Sequence, residues 1–233
     1  MKIGIQSYSK IVILSSKIIN MKNILVINSS ARTQNSHSRK LTEVFVNHWT
    51  NLHENPNITY REIGTTPVPH IDEKWISAAF TPAERRTADE IEILKTSSTC
   101  IAELRQAAII VLAAPMYNWS ISSSLKAYID QVLRVNETFK INPADAANPY
   151  VGLLENKTLF LLAARGANGY ENGESNEHLN FQTKYLKTVF NMMGIYNIHL
   201  VTVDGTSLDA LTLEKTIEKA HQDIQLLIEQ QVL

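Results

Sequence analysis

Five strand-like runs alternate along the chain with stretches in which apolar residues recur every three to four positions. The runs are NILVIN at 23–28, ITYREI at 58–63, AAIIVLA at 107–113, KTLFLLA at 157–163 and a fifth near 195–203. Helical spacing marks Leu41, Val44, Phe45, His48 and Trp49, and again Leu125, Tyr128, Ile129, Val132 and Leu133. A helical region opens at Thr81-Pro82, with Glu84 three residues on, and runs through Ile91, Leu94, Ile101 and Leu104. Helices at about 176–193 and from about 207 close the pattern. Apolar runs separated by amphipathic helices predict an α/β fold with a doubly wound five-stranded parallel sheet, order 2-1-3-4-5. Between them, Pro67-Val68-Pro69 forbids regular structure, and the polar segment 134–156, with Pro143 and Pro149, reads as a long loop. A loop of that length in a compact domain is usually functional or a partner contact.

In such a sheet, strands one and three are neighbours, and ligands bind in the crevice at their carboxyl ends. Two loops meet there. After the third strand comes Pro115-Met116-Tyr117-Asn118-Trp119, which offers a stiff exit, two aromatic surfaces and an amide with both a donor and an acceptor. It reads either as a holder for a flat ring or as a connection whose aromatics seal the core. After the first strand come Ser29, Ser30 and then Ser36-His37-Ser38 at a helix start. Their hydroxyls and the free helix N–H groups suit a phosphate dianion, with His37 as a further donor, although serines are also ordinary caps and loop residues. No G-x-G-x-x-G and no G-x-x-x-x-G-K-[ST] is present, so the dinucleotide fingerprint and the triphosphatase loop are both missing. FMN fits the pair of loops, its phosphate on the serines and its isoalloxazine on the Pro115 to Trp119 turn. After the fourth strand, Arg165-Gly166 and the glycines at 169 and 173 form a third carboxyl-end loop, a candidate to cover the ring's polar edge.

Composition narrows the class. The 233 residues are 44 % hydrophobic and 19 % charged, enough for one full core. A net charge of −1 without a basic block argues against nucleic acid or an anionic membrane as a partner, and mildly against a small electron carrier with a charged docking face. One cysteine, Cys100, excludes an internal disulfide, and the seven histidines show no ligand spacing, so no metal site is expected. A reducing cytoplasm is the default expectation, and no run approaches the ~20 apolar residues that span a bilayer. Met21-Lys22-Asn23 directly before the first strand looks like a natural start. Residues 1–20 are therefore expected to be a dispensable extension to a single domain at 21–233.

The segment APMYNWSISSSLKAYID, with the Ser-Ser and Ser-x-Ser elements upstream, resembles the FMN-dependent NADH-azoreductases, whose members also act as NADH:quinone reductases. The resemblance covers residues 21–231 and implies a flavodoxin-like fold. It implies FMN as cofactor and NADH as electron donor, with the phosphate side on Ser30, Ser36, His37 and Ser38. Ring contacts then fall on Met116, Tyr117, Asn118 and Trp119. The family's Ser-Arg-Gly-Gly turn maps onto 164–167, where Arg165 and Gly166 match and Ala164 and Ala167 depart. A quinone or azo acceptor would be lined by Phe139 from the long loop and by Met192, with Met193, from the late helix. The resemblance further implies a homodimer completing each site, and the expected mechanism is a ping-pong hydride transfer in which NADH and then the acceptor use the same exposed flavin face. No catalytic acid is assigned, because solvent can deliver the proton. The alternatives are a general NAD(P)H:FMN reductase, a flavodoxin-like carrier that reacts with NADH hardly at all, and a non-enzymatic binding domain that retains no flavin.

Overall fold

The computed structural model describes residues 22–232, with the Val232 side chain left aside. The extension expected at residues 1–20 lies outside the described residues. Five parallel strands form one sheet in the order β2-β1-β3-β6-β7. They are β1 (Ile24–Asn28), β2 (Ile58–Glu62), β3 (Ile109–Pro115), β6 (Thr158–Ala164) and β7 (Asn197–Val203). Counting only strands of this sheet, the order is the expected 2-1-3-4-5. The central strands β1, β3 and β6 are buried along their whole length, which is why their sequences are continuously apolar. The edge strand β2 is half-buried to exposed and reads as ITYRE.

Alternate residues of each strand face opposite layers. Ile24, Val26, Ile109, Val111, Phe160 and Leu162 pack against α1 (His37–Leu52) and α7 (Ala210–Val232), through Leu41, Phe45, Trp49, Ala220, Ile224 and Ile228. Leu25, Ile27, Ile110, Leu112, Leu159 and Leu161 pack on the other face. There they meet α4 (Lys95–Gln106), α5 (Ser123–Val132) and α6 (Thr183–Met192). Helices on both faces of a parallel sheet of this order make the flavodoxin-like arrangement.

Two segments differ from the sequence reading. The region expected to be helical from Thr81 is three pieces, a 3-10 turn at Ala83–Arg85, α3 (Ala88–Ile93) and α4, and a further helix, α2 (Glu73–Phe80), precedes it. Both T-P-A-E at 81–84 and T-A-D-E at 87–90 carry the capping-box pattern, and the second one forms it, with Thr87 and Glu90 bonding reciprocally. Thr81 instead ends α2, a helix anchored by Trp75, whose indole N–H donates to buried Gln131 at 2.9 Å. The second difference lies in 134–156, where β4 (Phe139–Ile141) and β5 (Tyr150–Gly152) pair as an antiparallel ribbon. The ribbon is anchored by a glycine contact: a Cβ on Gly152 would lie 2.1 Å from the Gly194 backbone nitrogen. Among the described residues no helix is long and apolar enough to cross a membrane.

Candidate functional site

The sheet register builds a notch. Asn28, the last residue of β1, pairs with Ala113, whereas β3 and β6 continue together for two more residues, through Ala114–Ala163 and Pro115–Ala164. The chain therefore leaves β1 about 7 Å below the lip formed by its neighbours. Over this step opens a cleft of about 270 Å³, lined by Ser30, Ser36, His37, Ser38, Met116 and Tyr117, with Gly166 on the far wall. Residues from three separate loops thus meet at the switch point between β1 and β3.

On the serine side, Asn35 adopts φ 54°, a left-handed turn that delivers the chain to Ser36, the N-cap of α1. Ser36 Oγ accepts from the Arg39 N–H and lies 3.3 Å from Ser38 Oγ. The N–H groups of His37 and Ser38, in the first turn, have no acceptor within the helix. His37 Nδ1 is buried with no hydrogen-bond partner among the described residues. Burial, then Lys40 and Arg32, lower the His37 pKa below its ordinary value. Free N–H groups, paired hydroxyls and a buried orphan ring nitrogen are a donor set suited to an anion such as a phosphate.

Opposite stands the turn after β3. Tyr117 and Ser120 exchange both backbone hydrogen bonds, at 2.9 and 3.0 Å, around Asn118 at φ 50° and Trp119 at φ 63°. Two successive residues with positive φ closing a two-residue hairpin define a type I′ turn. Asn tolerates this backbone; a bulky Trp rarely adopts it. Trp119 is 52 % exposed, so its side chain is not folded into the core, and the cleft is lined by Met116 and Tyr117 of this turn but not by Asn118 or Trp119. That placement removes the alternative in which this aromatic merely seals the interior. Tyr117 Oη reaches to 3.5 Å from Ser30 Oγ, so the two loops touch. The turn is tied down from below: Ser122 caps α5 and donates to the Ser29 carbonyl, and Ser29 Oγ donates to the Ala113 carbonyl.

On the third loop, Gly166 reaches the cleft and a Cβ there would lie 3.1 Å from Ser207 Oγ. Arg165 stands elsewhere. Its side chain is fully buried, paired with Glu171 at 2.7 Å, hydrogen-bonded to Gln182 at 3.2 Å and set over the Tyr170 ring. Its guanidinium therefore stiffens the loop and does not line the cleft. Burial raises the pKa of the neighbouring Asp204, with Arg165 opposing that shift.

Phe139 and Met192 also fall outside the cleft of their own chain. Phe139 pairs with Gly152, Gly152 abuts Gly194, and Leu154 donates to the Met193 carbonyl, all at the amino-terminal ends of β6 and β7. The cleft is at the opposite ends, about 20 Å away along seven-residue strands. Met193 is core, fully buried. Conversely, the cleft includes Arg32, Asn35, Thr206 and Ser207, which the sequence reading did not name. The signal for the last two was the sheet order itself: β7 neighbours β6, so the loop after β7 must lie beside 165–167, and Ser207 N–H indeed donates to the Gly166 carbonyl at 3.0 Å.

Comparison with known proteins matches this fold. A family model described as flavodoxin-like fold covers residues 22–228. The chain is 37 % identical over 202 residues to FMN-dependent NADH:quinone oxidoreductase 1 of Trichormus variabilis, spanning 87 % of this chain and 93 % of the relative. It is 38 % identical over 200 residues to FMN-dependent NADH:quinone oxidoreductase 2 of Pseudomonas putida, spanning 86 % and 96 %. Among solved structures, an FMN-dependent NADH-azoreductase from Bacillus anthracis in complex with FMN superposes with a TM-score of 0.77 at 26 % identity, over 89 % of this chain and 99 % of that one. A chain that is more than a third identical to these oxidoreductases across an alignment spanning nearly their whole length belongs to their family, the FMN-dependent NADH:quinone oxidoreductases of flavodoxin-like fold.

Proposed function

We propose that this protein is an FMN-dependent NADH:quinone oxidoreductase that also reduces aromatic azo compounds. The observation that carries the reading is the convergence, at one switch point, of an anion-binding helix start with an exposed aromatic turn. Ser30, Ser36 and Ser38, with the first N–H groups of α1 and His37, would hold the phosphate. Met116, Tyr117, Asn118 and Trp119 would hold the ring, and the main chain at Gly166 would face its polar edge. The Gly166 N–H has no acceptor among the described residues, so it is free to donate there. FMN held there would supply the two-electron chemistry between NADH and the acceptor. The chain's part is to orient the ring, to leave one face open beside Trp119, and to aim donors where charge accumulates on reduction. NADH and acceptor then use that face in turn, a ping-pong order. No general acid is assigned, and solvent can deliver the proton.

The acceptor pocket as first read needs a second copy. Phe139 and Met192 are far from their own cleft, and the ribbon beside them leaves Ile141 and Tyr150 more than half exposed. We infer a homodimer in which the partner's ribbon and late helix complete the acceptor side.

An anaerobic NADH titration of the FMN-reconstituted protein tests the enzymatic reading. One equivalent of NADH is expected to bleach the flavin absorbance, with recovery on adding a quinone. Flavin that binds yet stays oxidised would move the assignment to an electron carrier, and failure to bind FMN would remove the two-loop argument.

A further inference from the structure

Arg39 stands where an isolated helix would least favour it. It is the third residue of α1, beside the positive end of the helix, in a first turn with no acidic residue. Its side chain is only 13 % exposed. Three contacts account for the placement. Nη1 lies 2.6 Å from Glu62 Oε2 at the end of β2, Nε donates to the Arg32 carbonyl at 2.8 Å, and Nη2 donates to the Ser30 carbonyl at 2.9 Å. Glu62 is fixed in turn, because Asn28 Nδ2 donates to its Oε1 at 2.5 Å and Thr42 Oγ1 donates to Asn28 Oδ1 at 3.1 Å. Gly64 presses on the same loop from β2's side: a Cβ there would lie 2.0 Å from the Ser30 carbonyl oxygen.

Two carbonyl oxygens of the serine loop are thus drawn toward β2, while Ser30 and Ser36 line the cleft. A carbonyl oxygen turned into that cleft would repel a phosphate oxygen. Held by a guanidinium, it cannot turn. Arg39 itself does not line the cleft, so its influence on a ligand passes through the loop. Glu62 sharpens the requirement, since without Arg39 its carboxylate would stand unpaired behind an anion site.

We propose that Arg39 is a positioning residue that makes this site select a flavin bearing a 5′-phosphate over riboflavin. It does so by clamping the Ser30 and Arg32 carbonyls against the Glu62 side of the loop. The inference rests on the reading of Ser30, Ser36, His37 and Ser38 as the phosphate side.

The test is to titrate the flavin-free protein with FMN and, separately, with riboflavin, following flavin fluorescence, for wild type, Arg39→Ala, Arg39→Lys and Ser36→Ala. Arg39→Ala is expected to raise the FMN Kd by about tenfold to a hundredfold while the riboflavin Kd stays within about twofold. Arg39→Lys keeps a cation near Glu62 but has a point donor in place of the fork, so it should fall between the two. Lysine equal to wild type, or equal losses for FMN and riboflavin in Arg39→Ala, would overturn the positioning role. Should Arg39→Ala not fold, the Lys variant carries the same comparison. If Ser36→Ala selectively weakens FMN and Arg39→Ala does not, the inference fails and the phosphate reading stands. If Ser36→Ala leaves the FMN Kd unchanged, the phosphate reading falls and takes the inference with it.

Discussion

At Trp119 the chain accepts an unfavourable backbone to place an aromatic surface in solvent. The type I′ turn wants Asn-Gly, and this sequence supplies Asn118 followed by tryptophan. Such strain persists only where neighbouring structure over-determines it, and it concentrates at functional sites. Trp119→Gly is therefore expected to change unfolding free energy by less than ~1 kcal/mol, or to stabilise, because relief of strain offsets lost contact. Truncating a buried tryptophan costs ~3–5 kcal/mol by comparison. Quinone turnover should nevertheless drop. Urea unfolding beside steady-state rates checks this, and a loss above ~2 kcal/mol would mean that the indole is a packing residue. Arg165 teaches the reverse lesson. Its position in a glycine-containing loop at the carboxyl end of the sheet suggested a ligand contact, but Glu171 and Gln182 hold Nη2 and Nε, Tyr170 lies beneath the guanidinium, and Nη1 faces Asp204 at 3.7 Å. No spacing in the sequence distinguishes a cation that faces a cleft from one neutralised behind it.

Elements were legible where burial is uniform. The runs at β1, β3 and β6 are apolar because both faces are covered, and the α1 stripe Leu41, Phe45, Trp49 follows helical spacing against the sheet. They were illegible where two local signals competed. Thr81 and Thr87 carry the same capping pattern, and the docking of Trp75 and Ala78, which sets where α2 ends, is a tertiary event. The β4–β5 ribbon escaped notice because three-residue strands have no period to detect, and because its support is a backbone contact between glycines 42 residues apart in sequence (194 − 152). Gly152→Ala would drive a methyl group into the Gly194 backbone. It is expected to destabilise by ~1–3 kcal/mol, measurable as a lower urea midpoint at unchanged m-value. An unchanged midpoint would show that the ribbon can lift away at little cost.

For the whole molecule, the separation between the cleft and the Phe139–Met192 end is what the proposed homodimer has to bridge. At about 20 Å from the cleft of their own chain, Phe139 and Met192 could line an acceptor pocket only in another copy. Sedimentation at micromolar concentration is expected to give a species of twice the 26.2 kDa chain mass. A monomer that turns over quinone at full rate would sink the shared-site arrangement. Cys100 is buried in α4, and burial pushes its thiol up to about 11, so it is no candidate for an intersubunit disulfide.

By itself, the sequence determined the five alternating units, the strand runs of the core, and the two loops that meet at the switch point. Each of these follows from local periodicity or from residue chemistry confined to a few consecutive positions. Only the tertiary structure decided which side chains face the cleft. It brought in Asn35, Thr206 and Ser207, withdrew the Arg165 guanidinium, sent Phe139 and Met192 to the far end of the sheet, and set Arg39 behind the serine loop as a clamp. The physical reason is that facing depends on strand register and on partners distant in sequence, such as Glu62 for Arg39 and Gln182 for Arg165, which no local pattern encodes.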